Sequence, residues 1–229
     1  MSAKKAVRSP QGYQRVFYAL LVSNGLSLFL YFFRVVGARD FRYWFLFWNL
    51  LLAWAPLAFA WGLVTRLPHS RWLTGINIAL TFLWLGFLPN SFYVVSDLIH
   101  LKSTGEVSLL YDAVLFFSVI FNGFVSGFIS LYMVHRELLR RFTRRQAHSV
   151  VGVVILLCSF AIYLGRNLRW NTWDILVNPF GLVFDVSDRL INPVAHPQAF
   201  VTTMTFFLLI SSMYMVVWQL VQALLSDKP

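Results

Sequence analysis

Six blocks of apolar residues, each about as long as a bilayer is thick, govern what this chain can fold into. They run from Val16 to Val36, Trp44 to Val64, Trp72 to about Val95, Leu109 to Val134, Ser149 to Gly165 and Ala199 to Gln222. A hydrocarbon core of about 30 Å takes about 20 residues of helix, and no backbone group can be left unpaired in it, so each block is expected to cross as a helix. A water-soluble domain needs polar residues interleaved with apolar ones, and these blocks lack them. With 59% hydrophobic and 12% charged residues in 229, and a mean hydropathy of +0.67, too little polar surface remains to cover a soluble core. The expected fold is therefore all-α: a polytopic transmembrane helical bundle of six spans, one domain over 1–229, with short tails at 1–15 and 223–229.

The formal net charge of +10 would suit a nucleic acid only if a soluble fold carried it on one face, so no nucleic-acid partner is assigned. The charge reads instead as topology. An even number of spans puts both termini on one side, with Lys4, Lys5, Arg8, Arg15, Arg66, Arg71, Arg136, Arg140, Arg141, Arg144, Arg145 and Lys228. The opposite side holds Arg34, Arg39, Arg42, Lys102, Arg166, Arg169 and Arg189, together with seven of the nine acids. Cytoplasmic flanks carry the Lys/Arg excess, so both termini are expected in the cytoplasm. Val36-Gly37-Ala38 looks like a signal-peptide cleavage site, but the apolar stretch before it is longer than such peptides carry, and an uncleaved anchor is expected. The single cysteine, Cys158, lies inside a span, so no disulfide and no cysteine metal cluster is available.

In the last outer loop, Asn178-Pro179 offers an N-cap and first-turn pair, and Asn192-Pro193 a stop. Between them Gly181, Asp185, Asp188, Arg189 and Asn192 share one helical face, and Leu182, Val183, Val186, Leu190 and Ile191 the other. The expectation is an amphipathic interfacial helix on the outer leaflet, either roofing a cavity or anchoring the loop.

The chemistry-bearing residues cluster in two segments. In Leu88-Pro89-Asn90 to His100-Leu101, the groups Asn90, Tyr93, Asp97 and His100 fall on one stripe at about 100° per residue. Asp97 and His100, three apart, form the candidate catalytic pair: the carboxylate fixes the imidazole tautomer, or both touch one substrate proton. The other account is an interfacial helix with its polar side to water or a neighbouring span. In Gly165-Arg166 to Trp173-Asp174, Arg166 and Arg169 beside Trp170 and Trp173 suit a phosphate, sulfate or carboxylate. Locally, Asn171 with Asp174 also reads as an N-terminal cap, and either Arg also suits a partner among Asp97, Asp112 and Asp174. Asp112, at the start of the fourth span, joins them as a third stretch on the same side. The candidate ligand-binding set is thus Asn90, Tyr93, Asp112, Arg166, Arg169, Asn171 and Asp174. No metal set and no cofactor is assigned, because the spacings match no metal motif and His100 is the one well-placed imidazole.

Deeper in the membrane, Ser118, Asn122, Gly123, Ser126, Gly127 and Ser130 line one strip of the fourth span, which favours close helix packing. Asn24, Asn49 and Asn77 are single polar groups expected to bond neighbouring helices.

These two segments, with Tyr111-Asp112 and Asn122-Gly123 between them, resemble the bacterial multi-spanning family catalogued as domain of unknown function 1361, over Trp44 to Leu209. The resemblance implies a bacterial inner-membrane location and carries over no catalytic residue. The function expected from the residues is binding of an anionic or lipid-linked group at the extracytoplasmic face, with membrane lipids as partners and action on an envelope lipid as one form. A transporter or flippase, and a structural or partner-binding subunit of an envelope complex, are the alternatives.

Overall fold

The computed structural model of the chain describes residues 10–226 except 104 and 106. The outer parts of both tails, with Lys4, Lys5, Arg8, Asp227 and Lys228, and also Glu106, lie outside the described residues. Among the described residues eight α-helices follow one another: α1 (Pro10–Ala38), α2 (Trp44–Arg66), α3 (Gly75–Tyr93), α4 (Leu109–Leu139), α5 (Arg144–Asn167), α6 (Asp174–Val177), α7 (Pro179–Ile191) and α8 (Pro197–Ser226). A 3-10 helix, Val94–His100, continues α3. Six of these segments are long and apolar enough to cross a bilayer, and the protein is a multi-pass membrane protein.

α4 is the central mast. It packs on α1, α2, α3, α5 and α8, and 61% of its spanning window is buried, against 17% for α1 and for α8. Its small-residue strip explains the fit. A Cβ on Gly123 would stand 2.7 Å from the Ser91 carbonyl oxygen and from a Val94 methyl, and one on Gly127 2.7 Å from the Ser91 Cβ. Only glycine lets α3 approach this closely, so α4 sets where the end of α3 lies. The expected interhelical bonds of the asparagines form as well. Asn24 donates to Asn122 Oδ1 (3.2 Å) and accepts from Trp54 Nε1 (3.0 Å), while Asn77 Oδ1 accepts from Arg66 Nε of α2 (3.4 Å).

Pro89 lies near the end of the third span, where a kink or a restart as a short interfacial helix is the expectation. α3 passes through Pro89 without stopping, although proline supplies no N–H and frees the Leu85 carbonyl. Donors gather at this loosened turn: Asn90 Nδ2 bonds the Phe87 carbonyl (3.1 Å) and Thr172 Oγ1 the Gly86 carbonyl (3.4 Å). From Val94 the chain winds as 3-10 to His100. Ser96 Oγ closes that winding on the Tyr93 carbonyl at 2.6 Å.

α7 forms as expected, with Asn178 Oδ1 accepting from the Gly181 N–H (3.1 Å) and Pro179 at its first turn. Its faces are sorted differently from a simple water-and-lipid division. Leu182 and Val186 pack on Tyr163, Leu164 and Ala199 of the bundle. Asp185 also turns inward, to accept from Trp170 Nε1 (2.8 Å) and from Arg189 (2.9 Å). Phe180, Val183, Phe184, Leu190 and Ile191 are left exposed. Trp170 and Arg189 thus hold a half-buried Asp185 that a two-faced reading would send to water.

Candidate functional site

A cavity of about 410 Å³ opens at the end of the bundle where α3 and α5 finish. α3 forms its floor through Gly86, Phe87, Pro89, Asn90 and Tyr93; α2 and α5 are its walls, and residues 170–175 with Leu182 cover its top. These floor residues lie on the face of α3 opposite Leu88, Ser91 and Phe92, the ones buried toward α4.

Arg166 is the organising group. Its Nη2 donates to Asp97 Oδ1 (2.7 Å) and Ser96 Oγ (2.6 Å), its Nε also to Ser96 Oγ (3.0 Å), and its Nη1 reaches His100 Nε2 (3.3 Å). The guanidinium lies over the Tyr93 ring, 4.6 Å from its centroid. Gly165 makes that stack fit, since a Cβ there would meet Tyr93 Cε2 at 3.1 Å. Arginine has no acceptor, so Nη1–H is the donor and Nε2 of His100 the acceptor, which leaves the His100 proton on Nδ1.

The winding of the chain determines how Asp97 and His100 serve this site. At three residues per turn, positions three apart eclipse, and a rise of about 2 Å per residue separates them by about 6 Å along the axis. Both therefore face Arg166, which sits between them in place of a direct carboxylate–imidazole bond. Asp97, 2% exposed, spends its other oxygen on Asn49 Nδ2 (2.6 Å). It holds Arg166 from behind, whereas His100 is exposed at the cavity wall against Phe45, ring centroids 5.0 Å apart. Both residues assigned to acid/base work from the sequence line the cavity, Asp97 with its two oxygens engaged by Arg166 and Asn49, and His100 exposed.

The other expected residues divide. Asn90, Tyr93, Asn171 and Arg166 line the cavity with Asp97 and His100. Asn90 is tied to Thr172 Oγ1 (3.2 Å), and the Asn171 backbone N–H bonds Asp174 Oδ2 (2.6 Å), so Asp174 caps the turn into α6. Arg169 is exposed, with a left-handed backbone (φ 60°), and lies outside the lining. Asp112 lies elsewhere altogether: it accepts from Arg34 Nε (3.1 Å) with both side chains 0–1% exposed, and the Arg34 guanidinium stacks 4.3 Å from the Tyr43 ring centroid. Its convergence with the other groups does not occur, because a buried counter-ion on α1 holds it.

Ser96, Asn49 and Thr172 belong to the site and stood outside the candidate set. Ser96 and Thr172 are in the two motif segments, and Asn49 is a lone polar group in an apolar span. That feature marks a side chain needing a partner. Among the described residues no three His, Cys, Asp or Glu side chains converge as a metal set.

Comparison with curated proteins and with solved structures returns no match. A family profile does match: residues 48–212, from the α2 wall of the cavity to the middle of α8, fit the one described as a protein of unknown function (DUF1361), and the chain belongs to that family.

Proposed function

We propose that the chain is a protein of the bacterial cytoplasmic membrane, with both termini in the cytoplasm, and that its cavity faces the extracytoplasmic side and binds an anionic group, free or lipid-linked. The observation that carries the reading is the clamped guanidinium. Asp97 and Ser96 fix Arg166 on one edge, which leaves Nη1 beside His100 at the cavity wall. A fixed guanidinium loses little freedom on binding and offers charge-assisted hydrogen bonds to phosphate or carboxylate oxygens. His100 Nδ1–H adds a second donor, and Tyr93, Asn90 and Asn171 supply neutral hydrogen-bonding groups around them. Asp97 acts through Arg166 as a positioning residue. The proposal does not draw on Asp112, Arg169 or Asp174. The sidedness is supported by the Lys/Arg excess on the face of the termini.

The test is lipid and metabolite mass spectrometry of species that co-purify with the wild type, Arg166→Gln and His100→Ala. An anionic species held by the wild type and depleted in both variants is expected. Identical spectra for the three proteins would overturn the reading.

A further inference from the structure

The cavity reaches well below its polar rim, and three helices give the same depth. Leu52 lies eight residues into α2 from Trp44, Gly86 seven residues before Tyr93, and Ala161 five before Arg166. At 1.5 Å per residue the floor therefore sits about 8–12 Å beneath the end of the bundle. The lining changes character with depth. His100, Arg166 and Asn171 stand at the rim, while Leu52, Phe87, Ala161 and Leu164 stand below. Small residues keep that lower half open: a Cβ on Gly86 would meet only the Thr172 methyl, at 3.7 Å. The floor faces away from α4, the side on which the outer surfaces of α2, α3 and α5 carry exposed Trp48, Leu83 and Leu157. In a spanning bundle that side meets lipid chains, and the polar groups near this depth are already engaged: Asn49 on Asp97, Asn90 on Thr172, and Thr172 on the Gly86 carbonyl.

We infer, building on the anion-binding reading above, that the ligand is an anionic amphiphile of the surrounding membrane: a phosphate-class headgroup on Arg166 and His100, with one hydrocarbon chain lying over α3 between α2 and α5. A free anion would fill the rim alone and leave the lower half vacant. An amphiphile accounts for both halves, and it arrives sideways from the bilayer without crossing the roof of residues 170–175.

The experiment titrates butyl phosphate and octyl phosphate into full-length protein in phosphatidylcholine nanodiscs, with empty nanodiscs as the blank. The longer chain both gathers octyl phosphate in the disc and fills the lower half, so octyl phosphate is expected to bind the wild type at least tenfold more tightly than butyl phosphate, and the filling variant isolates the share due to the cavity. Ala161→Phe fills the lower half and brings the octyl-to-butyl ratio toward one. Gly86→Leu is the second filling variant, used if Ala161→Phe elutes as aggregate. Arg166→Gln weakens both ligands at least tenfold. A wild-type ratio near one with both ligands Arg166-dependent overturns the amphiphile and leaves a free-anion site standing. A ratio that persists in a folded filling variant also overturns it. Binding of both ligands indifferent to Arg166→Gln overturns the anion-binding reading itself, whatever the ratio.

Discussion

Replacing Asp112 with Asn leaves the Arg34 guanidinium inside the bundle without its counter-charge, and the geometry sets the size of the penalty. Both side chains are 0–1% exposed, so neither ion recovers hydration when the other is lost. Breaking a buried pair from one side costs about 3–5 kcal/mol. Arg34 retains the Asp40 carbonyl (3.3 Å) and the Tyr43 ring, which orient it without neutralising it, so Asp112→Asn is expected to cost about 3 kcal/mol or more. Arg34→Met strands Asp112 instead. That carboxylate lies in the first turn of α4, where the helix dipole offsets about 1–2 kcal/mol, and the cost falls to about 2–3 kcal/mol. The double variant Arg34→Met/Asp112→Asn removes both ions and leaves one neutral amide in the space, for about 1–2 kcal/mol. The singles therefore exceed the double by several kcal/mol in sum, and the cycle isolates the coupling. Equilibrium unfolding in mixed micelles by SDS, followed by tryptophan fluorescence, reads all four proteins. A double variant as damaged as the sum of its singles, or an Asp112→Asn cost below about 1 kcal/mol, refutes the buried-pair account.

Gly123→Ala drives a methyl to 2.7 Å from the Ser91 carbonyl and should cost about 1–3 kcal/mol in the same assay, whereas Gly152→Ala, with nothing within 4 Å, should be neutral or stabilising. At the end of α7, hydrogen bonds from Asn192 and His196 hold the Asp188 carboxyl below the usual carboxylate range. A depressed carboxyl stabilises its surroundings above the unfolded value near 3.8 and loses that contribution as the pH falls through the folded value. The hydrogen-exchange protection factor at the C-terminal turn of α7, taken against the intrinsic rate at each pH, should thus fall from pH 5 to pH 3 in the wild type and stay level in Asp188→Asn. In a Cys158→Ser background, Pro193→Cys should react with a membrane-impermeant maleimide added to spheroplasts and Phe142→Cys should not. The reverse pattern would invert the proposed orientation.

The spans were legible because length and composition alone decide whether a helix can cross a bilayer; α2 begins at Trp44 and α4 at Leu109, where the apolar blocks begin. Close packing along Gly123 and Gly127 was legible for a similar reason, since small residues at a four-residue interval have few other uses in a span. Arg166 beside Asp97 was open as one pairing among several. What selects it is the 3-10 winding after Tyr93, which no local propensity announces. The periodic stripe through Asn90, Tyr93, Asp97 and His100 was drawn at α-helical pitch, yet the last two positions face Arg166 because the pitch tightens. Asp112 was placed with the site by sidedness, and its true partner lies 78 residues earlier, a long-range pairing that sequence spacing does not encode. The inward turn of Asp185 was hidden too, since its partner Trp170 lies outside the helix whose faces were being compared.

The central position of α4 bears on how the chain is made. α1, α2 and α3 leave the ribosome before it, with Trp84 Nε1 and the second Nδ2 proton of Asn24 aimed at acceptors on Ser130 and Asn122 that do not yet exist. Until translation has passed those residues, the newborn hairpins wait in hydrocarbon with polar groups unmet. A nascent chain stalled ahead of α4 is therefore the form on which insertion chaperones and quality-control proteases would act first.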